Sequence, residues 1–297
     1  MKIIFITAAL SIFMHGNNYE PIQITNVSFR LTEKSIMLST GIKLHYVEHG
    51  NSSGVPVVLL HGYTDSWRSF EKVLPLLPLN MHVFAISQRG HGNSSKPENG
   101  YDSKSIASDL AAFIKQKKLG PVIVAGHSWG GMIAQQFALD YPNLVKSIII
   151  VSSGAAFKDN PGIPEFVEEI KNLRDSVSFQ FASDFQHSTL AVPIDSLYFN
   201  ELIKESNKVP LHVWKSVADE IMHTDLVPRL SSIQVPVLII WGDKDYICPK
   251  ESQEILLKGI KNARLVIYEG TGHALHWEQP KKFSDDLVAF VQHSTKS

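Results

Sequence analysis

Short apolar runs alternate with helical patterns along most of this 297-residue chain, and this alternation limits the folds open to it. The run Val55–Leu60 contains no polar residue, which is typical of a strand buried on both faces. Strands that alternate with helices predict an α/β fold with a mostly parallel sheet and helices on both faces. The other expected strands are a hairpin at 36–39 and 43–48 and runs at 83–86, 121–125, 147–151, 235–241 and 264–268, with helices at about 66–78, 104–117, 129–141, 250–260 and 281–292.

The alternation stops between about residues 155 and 232, where the patterns are helical and no β-rich run appears. The runs on either side would be neighbouring strands, so this segment predicts a helical cap over the carboxyl edge of the sheet, where ligands bind in open α/β sheets. We expect most of its aromatic residues to pack inside the cap and a few to line an apolar pocket. The predicted organisation is a leader or N-terminal arm at 1–32, a core at 33–154 and 233–297, and a cap at 155–232.

The first residues have the pattern of a secretion signal. Met1-Lys2 is followed by an apolar run at 3–14, which is shorter than the roughly 20 residues that span a bilayer. A basic start before a run of this length is typical of a signal peptide, although no small-residue cleavage site follows it. The pattern slightly favours an exported protein, and the alternative is an apolar arm packed on a cytoplasmic one.

Charge and cysteine content exclude several classes of function. The 28 basic and 29 acidic residues nearly cancel, and no charge run is present, so we expect neither nucleic acid nor an anionic membrane as partner. Cys248 is the only cysteine, which excludes a disulfide within the chain and a zinc site built from several cysteines. The histidines show no metal-binding spacing, and no dinucleotide or P-loop motif is present, so we predict neither a metal nor a cofactor.

The motif Gly126-His127-Ser128-Trp129-Gly130 lies between an expected strand and an expected helix. In this context Gly-x-Ser-x-Gly forms a sharp turn that lifts the serine hydroxyl clear of the sheet. Gly126 and Gly130 lack Cβ atoms, so the strand and the helix can approach closely around the turn. We therefore predict that Ser128 is a nucleophile at the N-terminus of a helix, where developing negative charge is favoured.

A serine hydroxyl needs a base, and the expected chain order on this fold is serine, acid, histidine. Loops after two later strands supply both partners, so Asp245 is predicted to orient His273, which acts as general base and then as general acid. Asp243 is the rival acid and is interpreted as a turn residue. His276 is the rival base and is interpreted as local packing.

Two backbone N–H groups are expected to hold the oxyanion that forms during attack. One belongs to Trp129, the residue after the nucleophile. The other belongs to Tyr63, in the loop after the strand Val55–Leu60, where Gly62 permits a tight turn. His61 in the same loop is interpreted as a residue whose hydrogen bonds brace the loop.

From about residue 36 to its C-terminus the chain resembles the α/β-hydrolase superfamily. Five motifs carry the resemblance, and they are His61-Gly62, the run Ser-Gln-Arg-Gly-His-Gly-Asn-Ser at 87–94, the turn at Ser128, Trp241-Gly242-x-x-Asp245-x-x-x-Pro249, and Gly272-His273 with Glu278-x-Pro280. The family often has aspartate where this chain has Ser87. A serine nucleophile argues against the haloalkane dehalogenase and epoxide hydrolase branches, which need a carboxylate at that position.

The residues favour a serine hydrolase of small, mostly apolar carboxylic esters or lactones, working through an acyl-enzyme. A second hypothesis keeps the triad in a carbon–carbon bond hydrolase, a perhydrolase or a proline-type aminopeptidase, similar to members of this superfamily. Substrates with an amine or carboxylate would require a buried counter-charge in the cap. The candidates for that group are Glu165, Glu168, Arg174, Asp184 and Glu220. A third hypothesis is a small-molecule receptor on a hydrolase scaffold.

Overall fold

The computed structural model describes residues 31–160 and 162–294. Residues 1–30, which hold most of the predicted leader, lie outside the described residues. Within the described ranges, eight strands form one sheet in the order β1-β2-β4-β3-β5-β6-β7-β8. The strands are β1 (Thr32–Met37), β2 (Lys43–Gly50), β3 (Val55–Leu60), β4 (Met81–Ser87), β5 (Val122–His127), β6 (Val145–Val151), β7 (Val237–Gly242) and β8 (Ala263–Tyr268).

The sheet is mostly parallel, as the sequence predicts. The first two strands pair antiparallel, and β2 is antiparallel to β4. The remaining strand pairs are parallel. The fold class expected from the sequence is therefore confirmed, and the carboxyl ends of the parallel strands share one edge of the sheet.

Apolar side chains fill both faces of the sheet because each central strand is apolar at consecutive positions. On β3, Val58 and Leu60 pack in one buried cluster with Trp129, whereas Val57 and Leu59 pack in another on the opposite face. Successive side chains of a strand point to opposite faces, so one strand contributes to both clusters. This double burial holds rigid the strand ends from which the site loops leave.

Five helices pack around the sheet in the described residues outside the segment between β6 and β7. They are α1 (Ser103–Gln116), α2 (Trp129–Asp140), α7 (Lys250–Gly259), α8 (Leu275–Glu278) and α9 (Pro280–Ser294). The prediction of one helix at 66–78 is wrong. That segment forms two short 3₁₀ helices instead, Trp67–Phe70 and Leu74–Leu76. Pro75 lacks the N–H that an α-helix would require there.

Four helices lie between the neighbouring strands β6 and β7 and form what we name the α3–α6 insertion. They are α3 (Ile163–Asn172), α4 (Phe179–Ser188), α5 (Ser196–Asn207) and α6 (Leu211–His223). The hydroxyl of Tyr63, in the loop after β3, donates to the carbonyl of Trp214 on α6 at 2.7 Å. None of the helices among the described residues is long and apolar enough to cross a membrane.

Candidate active site

Ser128 lies at the turn between β5, which ends at His127, and α2, which begins at Trp129. Its φ of 52° and ψ of −119° are unusual for a residue with a side chain. A conformation of this kind costs of order 1–3 kcal/mol and persists only where surrounding bonds enforce it. Here the Ser128 N–H donates to the carbonyl of Val151 at 2.9 Å, and the Ser128 carbonyl accepts from the hydroxyl of Ser153 at 2.7 Å.

The two glycines of the motif lie where other backbone atoms leave no space for a side chain. A Cβ on Gly130 would lie 2.5 Å from the carbonyl oxygen of Leu60, and a Cβ on Gly126 would meet the carbonyl oxygen of Gly130. The turn that carries Ser128 therefore packs against the end of β3 at backbone distance. This contact places the serine beside the loop that follows β3.

Asp245 and His273 come from loops that follow β7 and β8, and their side chains meet. The Nδ1 of His273 donates to Oδ2 of Asp245 at 2.9 Å, and both residues are buried. The other carboxylate oxygen, Oδ1, accepts the N–H groups of Ile247 at 3.0 Å and Cys248 at 2.9 Å. Because Nδ1 is engaged by the carboxylate, Nε2 is the ring nitrogen left to exchange a proton.

The rival acid and the rival base make other contacts. Oδ1 of Asp243 accepts the N–H of Gly270 at 2.6 Å, which is a bond between two loops at the surface. Nε2 of His276 is 2.9 Å from the hydroxyl of Ser69, and its ring packs against Phe70. Neither rival lines the cavity that Ser128 and His273 share.

The loop after β3 is held by His61. Its Nδ1 donates to the carbonyl of Gly62 at 2.8 Å, and its Nε2 accepts the backbone N–H of Gln88 at 2.9 Å. Burial lowers the pKa of His61 well below its usual value, so the ring is neutral and can accept at Nε2. These hydrogen bonds of His61 fix the segment that contains Tyr63. The other residue expected to donate an N–H, Trp129, is the first residue of α2 and directly follows Ser128.

Ser128 and His273 open on a cavity of about 260 Å³, just below the range of about 300–1,000 Å³ usual for ligand pockets. Its wall is mostly apolar, and none of the described residues that line it is Asp, Glu, Lys or Arg. The α3–α6 insertion supplies much of this wall. The described lining residues besides Ser128 and His273 are Tyr63, Phe157, Gly162, Ile163, Phe166, Val167, Phe185, Ser188, Ala218, Ile221, Tyr246 and Ile247.

Tyr246 also lines the cavity, although the sequence did not predict it. The residue is 60% exposed, and its hydroxyl donates to the carbonyl of Ser188, at the end of α4. The one signal in the sequence that could have identified Tyr246 is its place directly after Asp245, the predicted acid. A few aromatic residues of the insertion were expected to line a pocket. The sequence does not show which ones, because aromatic residues lie on several helical faces.

Two further buried histidines, His127 and His276, pack against each other beside the turn at Ser128, and both are neutral. Burial lowers the pKa of His276 to about 3 and that of His127 well below its usual value. Nε2 of His127 donates to the carbonyl of His273 at 3.0 Å. Near them, burial raises the pKa of Asp65 to about 7, against the lowering effect of hydrogen bonds from Gln186 and Ser69.

One group of potential metal ligands stands out among the described residues. Ligand atoms of Asp245, Cys248 and His273 all lie within 4.8 Å of one another. Burial raises the pKa of the Cys248 thiol well above its usual value, which favours the protonated thiol over the thiolate that binds metals. The carboxylate and imidazole are also joined directly at 2.9 Å. The group therefore fits a hydrogen-bonded pair better than a metal site.

Comparison with known proteins places the chain in a family. Residues 55–280 match the family described as alpha/beta hydrolase fold. The AB hydrolase superfamily protein YisY of Bacillus subtilis is 29% identical over 249 residues, covering 80% of this chain and 91% of its own length. Lipase 1 of Psychrobacter immobilis is 28% identical over 272 residues, covering 86% and 83%. The solved esterase EaEST of Exiguobacterium antarcticum superposes with a TM-score of 0.78 at 27% identity, covering 87% and 98%.

The chain belongs to the α/β hydrolase fold family. It is an enzyme of that fold, and the expectation that it is a hydrolase is confirmed.

Proposed function

We propose that the protein is a serine hydrolase of small, mostly apolar carboxylic esters or lactones. The observation that carries the proposal is the hydrogen-bonded pair Asp245–His273, whose histidine opens with Ser128 on one apolar cavity. In this reaction Nε2 of His273 takes the proton of the Ser128 hydroxyl as its oxygen attacks the substrate carbonyl. The paired carboxylate stabilises the imidazolium that results.

The oxyanion of the tetrahedral intermediate is assigned to the backbone N–H groups of Trp129 and Tyr63. Trp129 is the first residue of α2, whose N-terminal N–H groups have no partner within the helix. The helix dipole adds to this stabilisation. His273 then protonates the leaving alcohol, and water deacylates Ser128 with His273 acting again as base.

The cavity favours an uncharged substrate over one with an amine or carboxylate. A buried charge without a partner is costly, so a charged substrate would require an opposite charge in the wall. Glu165, Glu168, Arg174 and Asp184 are exposed, and Glu220 accepts the N–H of Ser103 on α1. None of these five candidates is among the described lining residues.

The proposal is tested with a substrate panel on the purified enzyme. p-Nitrophenyl esters graded by acyl length are compared with lactones, amides and a dienone acid by kcat/KM. We expect small esters or lactones to be preferred, and Ser128→Ala to lower their turnover by about 10⁴-fold or more. Retained ester hydrolysis in that variant would exclude Ser128 as nucleophile, and a preference for the dienone acid or an amide would favour the alternative reactions.

A further inference from the structure

The loop that carries His273 is bonded to the segment that joins α4 to α5, residues 189–195, which we name the α4–α5 linker. The N–H of Ala274 donates to the carbonyl of Thr189 at 3.0 Å. Gly272 packs so closely there that a Cβ on it would lie 2.6 Å from the nitrogen of Ala191. The residues on both sides of the histidine therefore contact a segment of the α3–α6 insertion.

Glu278 joins these two segments with a different carboxylate oxygen for each. Its Oε2 accepts the N–H of Gly272 at 3.0 Å. Its Oε1 accepts the N–H of Ala191 at 2.7 Å and lies 3.5 Å from the N–H of Val192. Glu278 does not line the cavity, so its two carboxylate oxygens act on the histidine loop and the linker.

The three peptide groups around His273 are therefore held from three directions. Glu278 holds Gly272, the linker holds Ala274, and His127 holds the carbonyl of His273 itself at 3.0 Å. The imidazole of His273 must reach Ser128 while it is bonded to Asp245. Its position therefore depends on where the backbone of residue 273 lies. A displacement of about 1 Å in such a group can cost about 10²-fold in rate.

Resting on the proposed function, we propose that Glu278 is a positioning residue for His273, which clamps the histidine loop to the α4–α5 linker. Two acceptor oxygens are required because both of its partners are N–H donors. Glutamine offers one acceptor oxygen, and its amide N–H₂ would face the remaining donor. Burial raises the pKa of Glu278, and the backbone bonds oppose that effect in favour of the carboxylate.

The chain offers a matched control in Glu220. This carboxylate also joins the insertion to the core, since its Oε1 accepts the N–H of Ser103 at 2.9 Å and the hydroxyl of Thr224 at 2.7 Å. It lies on α6, and among the described residues its hydrogen bonds go to Ser103 and Thr224 and not to the loops of Asp245 or His273. Glu220→Gln therefore makes the same substitution at a different junction, where one amide oxygen can keep both bonds.

The experiment measures the rate at which a fluorophosphonate labels Ser128 in the full chain, together with kcat and KM for a p-nitrophenyl ester. We expect Glu278→Gln to lower the labelling rate and kcat by about 10- to 100-fold with KM changed less than threefold, and Glu220→Gln to leave all three within threefold. Glu278→Ala should lose at least as much as Glu278→Gln.

Thermal melts separate positioning from a purely structural role. A lower Tm in Glu278→Gln with a labelling rate within threefold of the wild type, measured on folded protein, overturns the proposal. If Glu278→Ala does not fold, the glutamine variant decides. Failure of the proposed function gives a different result, because wild type would then label no faster than Ser128→Ala.

Discussion

Replacing Asp245 by asparagine should move the ring proton of His273 from Nδ1 to Nε2. The backbone around residue 245 is the reason, because it fixes how the asparagine side chain is oriented. Oδ1 of Asp245 accepts two N–H groups, from Ile247 and Cys248. The asparagine oxygen must therefore take that position, because its N–H₂ group would oppose two donors. The N–H₂ group then faces Nδ1 of His273, where Oδ2 lies 2.9 Å away in the wild type.

Facing a donor, Nδ1 must become an acceptor, so the ring proton moves to Nε2. A protonated Nε2 cannot take the proton of Ser128. The comparable tautomer change in a serine protease lowers kcat about 10⁴-fold, which corresponds to about 5.4 kcal/mol of transition-state stabilisation at 1.36 kcal/mol per tenfold. We expect a loss of this size in Asp245→Asn with little change in KM.

The assay is kcat and KM for a p-nitrophenyl ester at pH 8, with active sites titrated in each preparation. Asp243→Asn is the control, since the amide oxygen can keep the bond from Gly270 and the variant loses only a surface ion pair with Lys244. We expect that variant to stay within threefold of the wild type. A decrease in kcat of less than tenfold in Asp245→Asn would refute the assignment of Asp245 as the acid. A large decrease in kcat in Asp243→Asn would refute it as well.

Two further predictions concern stability and the turn at the nucleophile. Gly130→Ala brings a Cβ to 2.5 Å from the carbonyl oxygen of Leu60, so the backbone must shift. We expect this variant to have a lower Tm and a kcat at least tenfold lower than the wild type. An unchanged kcat would contradict the tight packing of the turn. Asp65 has a folded pKa of about 7, above its unfolded value near 4, so it binds more protons in the folded state and stability should fall as pH rises from about 4 to 7. Asp65→Asn should flatten that dependence, measured as Tm against pH, and an equal slope in both proteins would show that Asp65 is not its source.

The sequence predicted the sheet well because most of its central strands contain runs of consecutive apolar residues. Seven of the expected runs coincide with observed strands to within two residues at each end, including the buried strand β5 (Val122–His127). The failure at 66–78 has a local cause, since the apolar spacing is helical while Pro75 interrupts the hydrogen bonding. Side-chain periodicity outweighed a backbone restriction in that prediction.

For the site, the sequence could supply residues in the right chain order but not the contacts that support them. Asp245 and His273 were identified from their places after strands, and the structure brings them to 2.9 Å. The role of Glu278 was not visible, because its partners are backbone N–H groups of Gly272 and Ala191, 87 residues away from it in the second case. Backbone donors leave no signature in side-chain identity.

Much of the cavity wall lies in a different stretch of the chain from the reacting groups. Phe166, Phe185 and Ala218 project from α3, α4 and α6, whereas Ser128 and His273 stand on loops of the sheet. Substrate range and bond chemistry can therefore diverge independently during evolution. Mutations confined to the four intervening helices would retune which acyl or alcohol groups fit, while the proton-transfer apparatus is inherited unchanged.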